Sequence, residues 1–83
     1  MLVLLYGFLS GDTLGLVVLV HDDEPVSQIA SSLQQAASMR VRPSAKASVY
    51  FNGVRLDSSL TVGQAGLKSI DRVDVVQEDA DGA

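Results

Sequence analysis

The most informative stretch of the sequence is residues 49–57, which read Val-Tyr-Phe-Asn-Gly-Val-Arg-Leu-Asp. Asn52-Gly53 is a strong signal for a type I′ turn, because both central residues of that turn need a positive φ. The residues on either side are apolar and include β-branched and aromatic types, which favour strands. The stretch therefore predicts a hairpin between a third strand at 47–52 and a short fourth strand at 54–56.

Two apolar blocks at the start of the chain predict two earlier strands, at 2–8 and 14–20. Ser10-Gly11-Asp12-Thr13 separates them, and a small polar cluster of this kind is typical of a hairpin loop. Strand side chains alternate between the two faces of a sheet. We expect Leu2, Leu4 and Tyr6 of the first strand to face the core, together with Leu14, Leu16, Val18 and Val20 of the second.

The middle of the chain predicts one helix. The run His21-Asp22-Asp23-Glu24-Pro25 is interpreted as its start, because acids favour the N-terminal end of a helix and Pro is tolerated in its first turn. Apolar residues then recur at helical spacing, which predicts one buried stripe and a helix that reaches about Met39. That stripe consists of Val26, Ile29, Ala30, Leu33 and Ala37. A last strand is predicted at 73–77.

Composition limits the chain to one small domain, with 83 residues, 47% apolar and 19% charged. There is no Cys, so a disulfide framework, a thiolate metal site and a thiol nucleophile are excluded, and an intracellular location in cytoplasm or nucleus is favoured. The apolar blocks are too short to span a bilayer and lack the positive flank of a signal peptide. The net charge of −4 argues against direct nucleic-acid binding.

Catalysis is not expected. His21 is the one histidine, and no Ser-His-Asp arrangement is expected from this chain. His21-Asp22-Asp23-Glu24 resembles a metal-ligand cluster only superficially, because consecutive residues seldom converge on one ion. We predict a chain that is not an enzyme and that has no metal and no cofactor.

Several strings, in their order along the chain, resemble the ubiquitin-like β-grasp family, which includes ubiquitin and the SUMO-like modifiers. They are Leu-Ser-Gly-Asp-Thr at 9–13, the hairpin at 49–57, and the closing stretches at 60–62 and 66–76. The resemblance implies an α+β fold in ββαββ order, a mixed β-sheet packed on one α-helix. We expect residues 1–77 to form the ubiquitin-like domain and residues 78–83 to be a flexible acidic tail.

The outward side of the predicted sheet is unusually apolar, with Val3, Leu5, Val17, Leu19, Tyr50 and Val76 assigned to it. Exposed apolar patches on small proteins tend to be contact sites. By resemblance, Leu9, Tyr50 and Val76 also fall where ubiquitin presents its hydrophobic patch. The hypothesis is a non-catalytic interaction module that binds a protein partner, or a second copy as a homodimer, through this face, without contacting a membrane.

Two secondary features accompany this face. Arg40, Arg42 and Lys46 carry half of the basic residues within seven positions and form a possible basic rim. A groove between strand two and the helix, lined by Val17, Leu19, Ile29 and Leu33, could accept a peptide as an added strand, as SUMO-like modifiers do by resemblance. That second site is the weaker one, because neither strand two nor the helix supplies a basic residue.

Two alternative functions follow from the same resemblance. One is a covalent modifier of the ubiquitin or SUMO type after processing, and the other is a β-grasp sulfur carrier. Both need a terminal Gly-Gly, whereas this sequence ends Asp81-Gly82-Ala83 after Glu78 and Asp79. Conjugation of the chain as it stands is therefore not expected.

Overall fold

The computed structural model describes residues 1–77, which form a five-stranded mixed sheet with one helix across it. The elements are β1 (Leu2–Leu9), β2 (Gly15–His21), α1 (Ser27–Ala36), β3 (Ala47–Phe51), β4 (Val54–Arg55) and β5 (Arg72–Gln77). The strand order across the sheet is β2-β1-β5-β3-β4. β1 and β5 run parallel, and the other neighbours are antiparallel. The predictions for residues 78–83 lie outside the described residues.

The core lies between α1 and one face of the sheet. The predicted helical stripe is confirmed, since every member of it is buried. The remaining core residues come from the strands and from the connection between β4 and β5. The buried apolar set is Val3, Leu5, Leu9, Val18, Val20, Val26, Ile29, Ala30, Leu33, Ala37, Val49, Val62, Leu67, Val73 and Val75.

The predicted facing of β1 is wrong. Val3, Leu5 and Leu9 are buried, whereas Leu2, Leu4 and Tyr6, which were expected inside, are exposed. The physical reason is Gly7, since a β-carbon at this position would lie 3.0 Å from both terminal methyl carbons of Leu33. The strand must present its glycine to the helix, and alternation then places the odd-numbered residues of β1 inside.

The helix is shorter than predicted at both ends. β2 continues through His21, residues 22–24 form a turn, and α1 begins at Ser27 with no acidic residue in its first turn. Pro25 forms an isolated bridge with Thr61 instead of opening the helix. At the other end α1 stops at Ala36, and residues 37–40 turn back toward the first hairpin. No helix in residues 1–77 has the length and hydropathy that crossing a membrane requires.

Gln34 is a buried polar residue that ties three parts of the fold together. Its Oε1 accepts hydrogen bonds from the Ser44 backbone N–H at 2.6 Å and from Gln77 Nε2 at 2.7 Å. Its own Nε2 donates to the Ser44 carbonyl at 3.1 Å. Gln77 Nε2 also donates to the Arg42 carbonyl at 2.7 Å. The helix, the loop that follows it and the end of β5 are therefore held by one amide network, which satisfies a buried polar group as such groups require.

The predicted type I′ hairpin is confirmed. Asn52 and Gly53 have φ values of 54° and 77°, and Phe51 pairs with Val54 across the two-residue loop. A β-carbon at position 53 would meet no atom within 4 Å, so the cost of adding one comes from the backbone.

Gly53→Val should lower the free energy of unfolding by roughly 1 kcal/mol or more, because a β-branched residue resists positive φ. Gly53→Asn is the control, since Asn tolerates the left-handed region and should lose much less. Urea denaturation of the three proteins measures both differences. Equal stability of the valine variant and the wild type would contradict the turn assignment.

Candidate protein-binding surface

Five exposed apolar side chains cluster on the sheet face that points away from α1. Leu4 lies opposite Leu19 and Tyr6 lies opposite Val17 across the antiparallel pair, and side chains opposite one another share a face. Val17 and Leu19 are 56% and 55% exposed, and Tyr6 is 47% exposed. We define the outer patch as Leu2, Leu4, Tyr6, Val17 and Leu19.

The structure brings together only part of the predicted site. Val17 and Leu19 are exposed on the outer patch, and Val76 is also exposed while Tyr50 is half-buried. Val3, Leu5 and Leu9 cannot contact a partner by their side chains because they are core residues. Leu2, Leu4 and Tyr6 take their place, because Gly7 must face Leu33 of the helix. Partner binding by Val17, Leu19, Tyr50 and Val76 stays a prediction.

A charged and aromatic cluster borders the outer patch on the side of β5. The Phe8 ring lies across Gly15, where a β-carbon would come within 2.7 Å of the ring. The Arg72 guanidinium carbon sits 4.1 Å from the Phe8 ring centroid, a cation–π distance, and Arg72 also pairs with Asp74 at 3.2 Å. The Tyr6 and Phe8 rings stack with centroids 6.1 Å apart. The cluster separates the aliphatic residues of β1 and β2 from the half of the sheet that carries Tyr50 and Val76.

Ile70 lies in the turn before β5 and contributes a further exposed apolar side chain. Its backbone N–H donates to the Leu4 carbonyl at 2.6 Å, and its side chain is 73% exposed. Its φ is 77°, a region that a β-branched residue adopts only with strain. The turn therefore holds an unfavourable residue next to the outer patch.

One residue of the predicted basic rim, Arg40, is already paired with a carboxylate. Arg40 makes a two-pronged interaction with Asp12 of the first hairpin, with its Nε 3.0 Å from Oδ1 and its Nη2 2.8 Å from Oδ2. The Asp12 carboxylate is only 2% exposed and the Arg40 side chain 40% exposed. This contact raises the pKa of Arg40 and lowers the pKa of Asp12. Arg42 and Lys46 are exposed in the loop between α1 and β3, and their role in a rim stays a prediction.

The acidic turn at 22–24 is occupied by local contacts. Asp22 Oδ1 lies 2.6 Å from the amino group of Met1, which lowers the pKa of the Asp22 carboxyl. Glu24 Oε1 accepts the His21 backbone N–H at 2.7 Å. Within residues 1–77, no group of three or more acidic or histidine side chains is arranged to hold a metal ion.

An open cavity of about 370 Å³ lies at the opposite edge of the sheet, beside β3 and β4. Its lining includes Ser48, Arg55, Leu56 and Asp57. The Asp57 carboxylate accepts hydrogen bonds from the backbone and hydroxyl of Ser59, and these bonds lower its pKa. The carboxylate in the lining is therefore engaged in closing the turn after β4.

A family model described as toluene-4-monooxygenase system protein B, TmoB, matches residues 2–77. The chain belongs to the TmoB family. Its match spans every strand and the helix, so the whole described fold is that of a TmoB-type protein. No curated protein sequence matches the chain.

Solved structures share the fold of this TmoB-family chain at low sequence identity. A chain in a toluene 4-monooxygenase HD complex with the inhibitor 4-bromobenzoate has a TM-score of 0.85 and 21% identity, covering 94% of this chain and 100% of that one. Ubiquitin from Caldiarchaeum subterraneum has a TM-score of 0.76 and 14% identity, covering 99% and 100%. A ubiquitin-like domain from Arabidopsis thaliana has a TM-score of 0.75 and 14% identity, covering 99% and 83%. The predicted ubiquitin-like β-grasp fold is confirmed.

The Asp12–Arg40 pair predicts that the stability of this chain is sensitive to acid. The folded chain holds the pKa of Asp12 below its ordinary value of 3.8, so the stability gained from the pair is complete above that pH and is lost as pH falls through the lowered pKa. We expect the melting temperature of the wild type to fall more between neutral pH and pH ~2 than that of Asp12→Asn, which has no carboxylate to protonate there. Equal losses in the two proteins would contradict this role.

The strained turn predicts that Ile70→Asn is more stable than the wild type, by about 1 kcal/mol, because Asn accepts positive φ and little apolar burial is lost. Ile70→Val keeps the β-branch and is the matched control, with no expected gain. The free energy of unfolding in urea measures both. An asparagine variant that is no more stable than the valine variant would show that the turn carries no such strain.

Proposed function

We propose that this chain is a non-catalytic subunit of a multicomponent monooxygenase and binds another protein of that system through the outer patch. Membership of the TmoB family supports a monooxygenase system, and the ubiquitin-like fold supports a small protein-interaction module. The chain in the toluene 4-monooxygenase HD complex, which has the same fold, supports assembly with other components.

The observation that carries the proposal is the exposure of the outer patch. Leucine, valine and tyrosine side chains on adjacent strands stand about half in solvent, and together they form a contiguous apolar surface. Burial of such a surface by a partner is favourable at about 25 cal/mol per Å² of apolar area removed from water. Tyr6 contributes a tyrosine, a residue type that is enriched among binding hot spots because it has a large, rigid ring with a polar tip.

A supporting role instead of a chemical one fits the polar residues of the described chain. His21 is an exposed residue whose neighbours Asp22 and Glu24 are bonded to the backbone or to the amino terminus. Acids and bases elsewhere form pairs such as Asp12–Arg40 and Arg72–Asp74. Oxidation chemistry is therefore assigned to the other components of the system.

The experiment is a binding measurement between this chain and a purified oxygenase component of a toluene 4-monooxygenase system. Wild type is compared with Leu4→Thr combined with Tyr6→Thr, since outward strand positions tolerate Thr. Loss of these two anchors should weaken binding by about tenfold or more while the melting temperature stays close to wild type.

Val54→Thr is the control. Val54 is an exposed strand valine, at 63% exposure, and lies in β4 at the edge of the sheet opposite β2. It should bind like the wild type. Absence of wild-type binding to the oxygenase component would reject the monooxygenase assignment. Binding that is weakened by Val54→Thr and not by the β1 changes would reject the outer patch as the contact.

A further inference from the structure

β2 is an edge strand of the sheet, and part of its backbone has no strand beside it. The hydrogen bond of Asp22 shows which residues of β2 bond to β1, because its N–H donates to the Met1 carbonyl at 2.9 Å. Bonded pairs alternate along an antiparallel ladder, so Val20, Val18 and Leu16 bond to β1. The N–H and C=O groups of Gly15, Val17 and Leu19 therefore point away from β1, and within residues 1–77 no other strand pairs with them.

One end of this edge is closed. The backbone N–H and C=O groups of His21 also point away from β1. Both are bonded, because the N–H donates to Glu24 Oε1 at 2.7 Å and the carbonyl accepts the Glu24 N–H at 3.0 Å. The side chain and backbone of Glu24 thus cap the edge at position 21. The open segment is Gly15–Leu19, where the backbone groups are available to a strand from outside.

Natural proteins protect edge strands from pairing with charged side chains, proline or bulges. The open segment has none of these, since Gly-Leu-Val-Val-Leu contains neither a charge nor a proline, and its pairing to β1 is regular throughout. An uncharged, regular edge of this kind is a template for strand addition.

We propose that two copies of this chain associate in solution by antiparallel pairing of their β2 edges. Because His21 is capped, the register that uses every free group places Val17 opposite Val17 of the second copy and Gly15 opposite Leu19 of the second copy. The two sheets then become one continuous sheet. The outer patches of the two copies lie side by side on the same face, since opposed residues share a face.

Charge favours a second copy in this antiparallel arrangement. The acidic turn at 22–24 of one copy lies at the end where the first hairpin of the other copy lies, so the two acidic turns are far apart. At that hairpin the Asp12 carboxylate is buried and the Arg40 guanidinium is the exposed member of the pair. Asp23, which is exposed, is therefore placed at the hairpin where the second copy exposes the Arg40 side chain.

Sedimentation of the full chain from micromolar to millimolar concentration tests the proposal. Wild type should pass from monomer to dimer. Val17→Pro removes the edge N–H without removing a bond to β1, and proline is tolerated at such positions, so the variant should remain folded with its dimer weakened by about tenfold or more. Val17→Thr keeps the N–H and is the matched control, with a dimer close to that of the wild type.

Amide hydrogen exchange on the wild type gives a second readout that does not depend on a variant folding. The amides of Val17 and Leu19 should become protected as protein concentration rises, whereas those of Val18 and His21, which have partners in each copy, should not change. A chain that sediments as a monomer throughout, or edge amides that stay unprotected while a dimer forms, would overturn the proposal. A dimer lost in Leu4→Thr and kept in Val17→Pro would assign association to the outer patch and overturn it equally.

Discussion

The close approach of Leu33 to Gly7 is the contact on which the arrangement of the sheet depends. Leu33 fills the space that a side chain at position 7 would need, so β1 can present only its glycine to the helix at that point. Because β1 lies next to both β2 and β5, the facing of this strand passes to its two neighbours through their registers. A shift of β1 by one residue would exchange the core for the outer patch.

Three neighbouring zones of the sheet have different chemistry as a result. The aliphatic residues of β1 and β2 stand in solvent, the Phe8–Arg72–Asp74 cluster borders them, and the edge of β2 adds open backbone groups. Side-chain burial and backbone pairing are separate sources of binding energy. The outer patch and the edge of β2 can therefore be occupied independently. Substitutions of outward residues in β1 change the outer patch without altering the backbone groups at that edge.

Much of the fold could be predicted because certain residues strongly favour one local conformation. Asn52-Gly53 requires a specific turn, and the stripe from Val26 to Ala37 repeats at helical spacing. The facing of β1 could not be read in the same way, because the residues from Leu2 to Tyr6 are apolar at both parities. Gly7 distinguishes the two faces only when the position of Leu33 is known, and tertiary packing sets that position.

The candidate site was predictable to the same extent as the strands that carry it. Val17 and Leu19 were assigned outward correctly, whereas Leu2, Leu4 and Tyr6 were missed together with the facing of β1. The end of α1 was misplaced because no Gly or Pro occurs between Ala37 and Arg42. The chain leaves the helix there through long-range contacts instead, with Arg40 bound to Asp12 and Gln34 bound to Ser44.

The position of β5 has a consequence for how the protein is made. It is the last strand of the described chain, yet it lies between β1 and β3, pairing with β1 in parallel and with β3 in antiparallel fashion. Until residues 72–77 have left the ribosome, the first hairpin and the β3–β4 hairpin have no strand to join them. The sheet can then exist only as two separate pieces, and an isolated hairpin is at best marginally stable in water. Folding of this domain is therefore expected to wait for residues 72–77, because β5 is the strand that joins the two pieces of the sheet.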